Sequence, residues 1–287
     1  MIWSPKTRNA LRLGAYQGPT EPGALEKNAC AALKILAEAH RRGLDFACLP
    51  ECFLSGYGPP EVLRAGAVTV RSDWFRDWVR RCTFGDMVSI VGFMEKRGSK
   101  LINSAAVVQC GRLLGVYHKS IAGSPFEGQA ATFVSKFPVF RAHGVTFGVI
   151  ICFEGTQIEP SLILAERGAR IIFEPHYSFI AMQQVDWHRA RVRNHRIARA
   201  VENGVWYVKS NTVTAPGRKM GDTEGFGYGD SFILDNIGRP RAEAGIFTTG
   251  WITADAPKKE LTGKRESRVK LVPKATRRQF AKLYWSA

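Results

Sequence analysis

The chain has 287 residues, of which 45% are hydrophobic and 23% charged, and it carries a formal charge of +16. No apolar run approaches the roughly 18 residues of a membrane span, and the opening MIWSPKTRNALRLG has no continuous apolar core of the kind a secretory signal needs. The six cysteines (30, 48, 52, 82, 110 and 152) show neither CxxC spacing nor an adjacent histidine pattern. That argues against a zinc site and suits free thiols in the cytoplasm.

Residues 11–17 (LRLGAYQ) alternate as a first strand, and residues 21–42 repeat apolar side chains on a helical stripe that Gly43 closes. Residues 44–50 (LDFACLP) form a second strand with Glu51 immediately beyond it, and a loop follows at 56–60. Residues 72–81 read as a helix capped by Ser72, with Trp74, Phe75, Trp78 and Val79 as its buried face. Residues 88–94 are a strand, and 101–109 with 113–118 make a hairpin that leads into Lys119. A loop at 121–131 contains Glu127, and strands are expected at 132–141 and 145–152. A helix to Arg167, a strand at 170–175, a long helix at 185–203, and strands at 205–211, 231–234 and 245–254 complete the order.

Two of these helices are followed by hairpin-like strand pairs. The pattern predicts an α/β fold with a mixed sheet, or two sheets between helices, rather than a purely parallel one. With no repeat or low-complexity linker, a single domain is expected over residues 1–257. Residues 258–287 form a basic extension holding ten Lys or Arg and two Glu. It lacks a zinc pattern, an aromatic RNA-binding signature or a basic heptad, so it is expected to pack on a neighbouring subunit and not to bind nucleic acid.

The chemistry centres on VTFGVIICFEGTQIE, residues 145–159. Its apolar opening reads as a strand buried on both faces, and Cys152 ends that strand just before a polar turn and a helix. A thiol at the carboxyl end of such a strand can meet a ligand and lies near a helix N-terminus. The alternative is a buried cysteine acting as a small hydrophobe. Glu51 and Lys119 share the address, each following a predicted strand. Side by side, the three supply a proton acceptor, a cation and a nucleophile for attack on an amide carbonyl or a nitrile.

These stretches resemble the nitrilase, or carbon–nitrogen hydrolase, superfamily. LPECFLSGY (49–57) is similar to its glutamate motif, YHKSIAGSPFEGQ (117–129) to its lysine motif and GVIICFEGTQIE (148–159) to its cysteine motif. RIARAVENGVWYVKSN (196–211) and GDSFILDNIGRPRA (229–242) look like two further family stretches. The resemblance implies an α-β-β-α sandwich of two mixed sheets between helical layers, a homodimer paired through a helical face, and a triad working without cofactor or metal. In those terms Glu51 is the general base, Lys119 the oxyanion-stabilising cation and Cys152 the nucleophile. Glu127 positions substrate or Lys119, and the Phe153 N–H joins the oxyanion hole.

Two departures stand out. Ile158 replaces the proline that often precedes Glu159, and Phe153-Glu154 replaces the Trp-Glu of true nitrilases, which favours an amide over a nitrile. Glu154 is expected to be a structural ion-pair partner, His176 and Tyr177 to line the pocket, and Trp187 to lie in the core or the pocket wall. The arginines at 189, 191, 193, 196 and 199 read as a solvated or dimer-facing stripe, with a clamp for a substrate carboxylate as the alternative. The expected activity is hydrolysis of a small linear amide through a thioester. An N-carbamoyl amine amidohydrolase, a nitrilase, and a non-catalytic protein with a nucleic-acid-binding tail are the alternatives.

Overall fold

The computed structural model of the protein describes residues 9–214, 218–220, 223–263 and 272–285, in which two six-stranded sheets lie face to face with helices outside each. The first sheet holds β1 (Ala10–Gln17), β2 (Phe46–Cys48), β3 (Val88–Arg97), β4 (Lys100–Gln109), β5 (Arg112–His118) and the final strand β14 (Gly250–Pro257), in the order β14-β1-β2-β3-β4-β5. Its centre, β1-β2-β3, is parallel, and both flanks are antiparallel. The second holds β6 (Val139–Ala142), β7 (Val145–Val149), β8 (Ile171–His176), β9 (Trp206–Asn211), β12 (Phe232–Leu234) and β13 (Pro240–Glu243), in the order β13-β12-β9-β8-β7-β6. It repeats the design, with β7-β8-β9 parallel and antiparallel edges. A separate hairpin joins β10 (Arg218–Met220) to β11 (Thr223–Gly225).

Strands buried on both faces favour continuous apolar runs: β2 (FAC) is one throughout, β7 (VTFGV) departs only at Thr146, and β8 (IIFEPH) opens on three apolar residues before the buried Glu174 and His176. Between the sheets, Leu13, Phe46, Ile90, Val107, Phe147, Phe173, Val208 and Ile233 share one core. The Phe46 ring, from the first sheet, stacks on Phe173 (centroids 5.3 Å apart) and meets Phe147 edge-on at 5.2 Å, both from the second. Such ring pairs add about 0.5–1.5 kcal/mol each beyond the area they bury. On the outside, α1 (Leu25–Arg41) and α3 (Asp73–Arg81) cover the first sheet through Ala32, Leu36, Phe75 and Trp78. The second is covered by α5 (Ile158–Glu166) and α6 (Val185–Asn203) through Leu164, Ala165 and Ala200. This is the α-β-β-α sandwich. Among the described residues no helix is long and apolar enough to cross a membrane.

Several local expectations shift. The loops at 56–60 and 121–131 hold or adjoin two short helices, α2 (Pro60–Ala65) and α4 (Pro125–Ala130), each opening on a proline. The strand expected at 132–141 shrinks to β6, and the last strand starts at Gly250 instead of Gly245. There the carbonyls of Gly245 and Thr248 turn aside to accept from Gln17 Nε2. Ser72 does cap α3, its Oγ accepting from Phe75 N–H, whereas Trp74 is only partly buried. In the basic extension, α7 (Lys258–Leu261) buries Leu261 against the inter-sheet core, and Glu260 accepts from Trp206 Nε1 at 3.0 Å. Residues 264–271 and 286–287 lie outside the described residues, and α8 (Lys274–Trp285) follows.

Gly92 in β3 sets how closely the segment bearing Glu51 can approach. A Cβ there would sit 2.5 Å from Cys52 N and 2.6 Å from Pro50 O, both backbone atoms that cannot swing aside. Gly92→Ala is therefore expected to destabilise the protein by about 1–3 kcal/mol through overpacking. Equilibrium denaturation measures this, and an unchanged midpoint would show that the Glu51 segment has room to move.

Candidate active site

The site straddles the two sheets. From the first come Glu51, just past β2, Asn103 within β4, and Lys119, just past β5; from the second come Cys152, beyond β7, and His176, the last residue of β8. The backbone crosses the seam, with Glu51 N–H donating to His176 O at 3.4 Å. A second tie is Glu154. Its carboxylate accepts from Ile151 N–H and Ser120 N–H, both at 2.7 Å, from Tyr117 OH at 2.7 Å, and from Ser120 Oγ. Glu154 is thus structural, but these partners are neutral donors and not the cation expected; burial pushes its carboxyl upward.

Lys119 Nζ lies 2.7 Å from Glu51 Oε1 and 2.9 and 2.8 Å from the two oxygens of Glu127, with all three side chains buried. Asn103 Nδ2 completes the cluster by donating to Glu51 Oε1 at 2.7 Å and to Glu127. One ammonium cannot fully compensate two buried carboxylates. Burial, with the charge of Glu127 adding to it, overrides the pull of Lys119 and lifts the Glu51 carboxyl to about 7. For Lys119, burial favours the neutral amine, but Glu127 and Glu51 prevail and hold it charged. Glu127 is placed by α4, where Ser124 Oγ accepts from the Glu127 N–H.

Cys152 sits at φ 52°, in the left-handed region, where the chain turns from extended backbone into a short 3₁₀ turn, Cys152–Thr156. A non-glycine residue in such a region carries about 1–3 kcal/mol of strain and persists only where its surroundings fix it. Arg196 does the fixing: its Nη2 donates to Cys152 O at 2.6 Å. That guanidinium is fully buried on Glu174, with Nη2 2.6 Å and Nε 3.0 Å from its oxygens. Burial alone would raise the Glu174 carboxyl, but Arg196 and His176 bring it down to about 2.

The sulfur of Cys152 lies 3.7 Å from Tyr177 O and 4.0 Å from His176 Nε2. His176 Nδ1 lies 2.6 Å from Glu174 Oε1, and burial, then the charge of Lys209, brings the imidazole down to about 3. The ring is therefore neutral near pH 7, with Nδ1 donating to Glu174 and the Nε2 lone pair facing Ser178 and the sulfur. Burial pushes the Cys152 thiol well above its ordinary range, Glu51 adds to this, and Lys119 opposes it less. Lys119 does pull the thiol down, but burial outweighs that pull, so the resting sulfur is protonated.

These groups meet at a cavity of about 460 Å³ whose lining includes Lys119, Cys152, Phe153, His176 and Tyr177. Glu51 and Glu127 stand behind Lys119. A Cβ on Gly123 would come within 3.1 Å of Lys119 Nζ and Glu127 Oε2, so glycine keeps this wall thin. The Tyr177 ring stacks on Tyr57 with centroids 4.8 Å apart.

The arginines of α6 divide. Arg189 and Arg193 pair with Asp230, Arg199 with Glu202, and Arg196 is the buried pin just described, so a uniform solvated stripe is not what the helix carries. Trp187 is 62% exposed, neither core nor pocket wall. Asn103 and Glu174 are members that sequence reading missed, and Arg196, weighed only as stripe or substrate clamp, instead holds Glu174 and the Cys152 carbonyl. Arg196 had left a signal: apolar Val192 and Ala200 flank it at i−4 and i+4, the spacing of one buried helix face.

The family model for carbon–nitrogen hydrolases matches residues 12–266. Among curated proteins, the glutamine-dependent NAD(+) synthetase of Xylella fastidiosa (strain Temecula1 / ATCC 700964) is 25% identical over 257 residues, 87% of this chain and 45% of that protein, so the chain spans about half the length of this relative. An (R)-stereoselective amidase from Pseudomonas sp is 26% identical over 70% of this chain and 69% of its own, and an N-carbamoylputrescine amidase from Arabidopsis thaliana is 26% identical over 85% of each. Among solved structures, an amidase from Nesterenkonia sp. superposes with a TM-score of 0.72 at 21% identity, covering 93% of this chain and 97% of that one, which shows the shared fold. With its sandwich of sheets and a family match across most of its length, the chain belongs to the carbon–nitrogen hydrolase family of the nitrilase superfamily.

Proposed function

We propose that the protein hydrolyses a small linear amide through a thioester on Cys152, with Glu51 as general base and acid and Lys119 as the oxyanion-binding cation. The observation that carries this reading is a partly exposed cysteine sharing one cavity with an ammonium that two buried carboxylates hold charged. Because the resting thiol is protonated, attack and deprotonation are coupled. The S–H proton passes to the Glu51 carboxylate as the S–C bond forms, and the carbonyl π pair moves onto oxygen. Lys119 Nζ and the Phe153 N–H receive that oxyanion. Collapse breaks the C–N bond, and the departing ammonia or amine takes the proton from Glu51. A water molecule, deprotonated by the same carboxylate, then attacks the thioester; the C–S bond breaks to release the acid, and Glu51 returns the proton to the sulfur. The steps balance without metal or cofactor.

Glu127 acts by holding Lys119, and Glu174 with Arg196 by holding the Cys152 carbonyl and the His176 tautomer. The amidase and N-carbamoylputrescine amidase relatives support an amide or carbamoyl carbon as the target. Acid-quenched mass spectrometry during turnover of amides, carbamoyl amines and nitriles tests the reading. The expected result is an acyl mass increment on the peptide carrying Cys152, with its identity naming the substrate class. Turnover that leaves Cys152 unmodified, and that persists in Cys152→Ala, would overturn it.

A further inference from the structure

Among the described residues, none lining the cavity is acidic and three are cationic: Lys119, Arg191 and Arg196. Lys119 is paired with Glu51 and Glu127, and Arg196 with Glu174. Arg191 has no carboxylate partner among the described residues; its contact is with the Trp187 ring, whose centroid lies 5.3 Å from Cζ. The neighbouring His188 adds no charge at neutral pH, since burial and the surrounding cations bring its ring down to about 4. Among the described residues, one wall of the cavity therefore carries a positive charge with no carboxylate against it.

We propose that Arg191 is an anion subsite, and that the substrate is a linear amide whose far end carries a carboxylate. This rests on the reading of the cavity as an amide-hydrolysing site. His188, Arg191, Val192 and Arg196 recur at i, i+3, i+4 and i+8, so one face of α6 looks onto the cavity. The same helix that pins the Cys152 carbonyl through Arg196 thus presents Arg191 five residues earlier, about 7–8 Å away along the axis. Arg191 and Cys152 line the same cavity, so an amide at the sulfur with an anionic far end at Arg191 needs only a short spacer. A planar guanidinium matches a carboxylate with two parallel N–H donors. A single arginine fits one negative charge better than a phosphate dianion. The formal charge of +16 would also raise the local concentration of anionic substrates.

The test compares kcat/KM for monoamides of linear dicarboxylic acids with neutral aliphatic amides of matched length. The wild type is expected to favour the acid-ended amides by about ten- to a hundredfold. Arg191→Met should bring the ratio close to one, mainly through KM, and Arg191→Glu should invert it towards amides ending in an ammonium. Each ratio is internal to one protein, so partial misfolding cannot imitate the result. Equal turnover of acid-ended and neutral amides by the wild type, or a ratio that survives Arg191→Met, overturns the subsite and leaves the hydrolase intact. Calorimetry on Cys152→Ala separates the two claims. Tighter binding of the acid-ended amide there, with no hydrolysis of any amide by the wild type, would keep the subsite and sink the hydrolase. Binding without that preference, or no binding of either amide, would remove the subsite.

Discussion

Lys119→Met is expected to lose amide hydrolysis by at least about a hundred- to a thousandfold, the effect of removing a main oxyanion donor. It should also lower stability. With the ammonium gone, Glu51 and Glu127 share only Asn103 Nδ2 among the contacts that had joined them at Lys119. Breaking a buried ion cluster by removing one partner costs about 3–5 kcal/mol. The deficit depends on pH in a definite sense. Glu51, already raised by burial, loses the opposing pull of Lys119, so protonation favours the folded state and the deficit grows as pH rises. Denaturant titrations at pH 5 and pH 8 should show the larger gap from wild type at pH 8. A gap independent of pH would mean that the cluster does not hold its carboxylates as the geometry implies.

Glu51→Gln separates chemistry from folding. The amide keeps the shape of the side chain but cannot take a thiol proton, and losing a general base costs about a hundred- to ten-thousandfold in rate. Lys119 retains Glu127, so the fold should survive. In the wild type, kcat/KM should rise with pH through about 7, as the base ionises, and the variant's residual rate should lack that inflection. The stability linkage runs the other way. Glu51 titrates higher in the folded protein than its ordinary 4.5, so its contribution is full below that value and is lost as pH rises through about 7. Glu51→Gln removes this slope and should gain on the wild type above neutrality. Glu174, depressed to about 2, contributes above its ordinary range, and that contribution is lost as pH falls towards 2. A wild-type rate flat across pH 5–9 would dismiss Glu51 as the base.

Long elements were legible because burial writes a period into them: the helix at 185–203 is read with its observed bounds, and the hairpin before Lys119 to within a residue. Short elements were less so. Six residues cannot display a helical stripe, and α2 and α4 sit in stretches whose Gly, Ser and Pro content reads as loop. For α4 a local signal was available, since Ser124-Pro125-Phe126-Glu127 has a cap residue, a proline at the first helical position and a glutamate three residues on from the cap. The convergence of Glu51, Lys119 and Cys152 on one region follows from each ending a strand. Asn103 escaped because one amide in the apolar run LINSAAVV looks like a tolerated polar residue; only the inter-strand register places it between two carboxylates. The raised thiol pKa was equally out of reach, because it depends on how much water the folded cavity excludes from the sulfur.

The groups proposed to react are mounted on opposite plates of the sandwich, Glu51 and Lys119 on one and Cys152 on the other, with the Phe46, Phe147 and Phe173 rings as the spacer between plates. On the proposed mechanism, turnover doubles as a gauge of plate separation. A substitution that thins or thickens this aromatic spacer, with no atom in the cavity altered, would still pull nucleophile and base out of alignment. On heating, turnover should fade before the backbone ladders melt, because slippage between plates needs no strand to come apart.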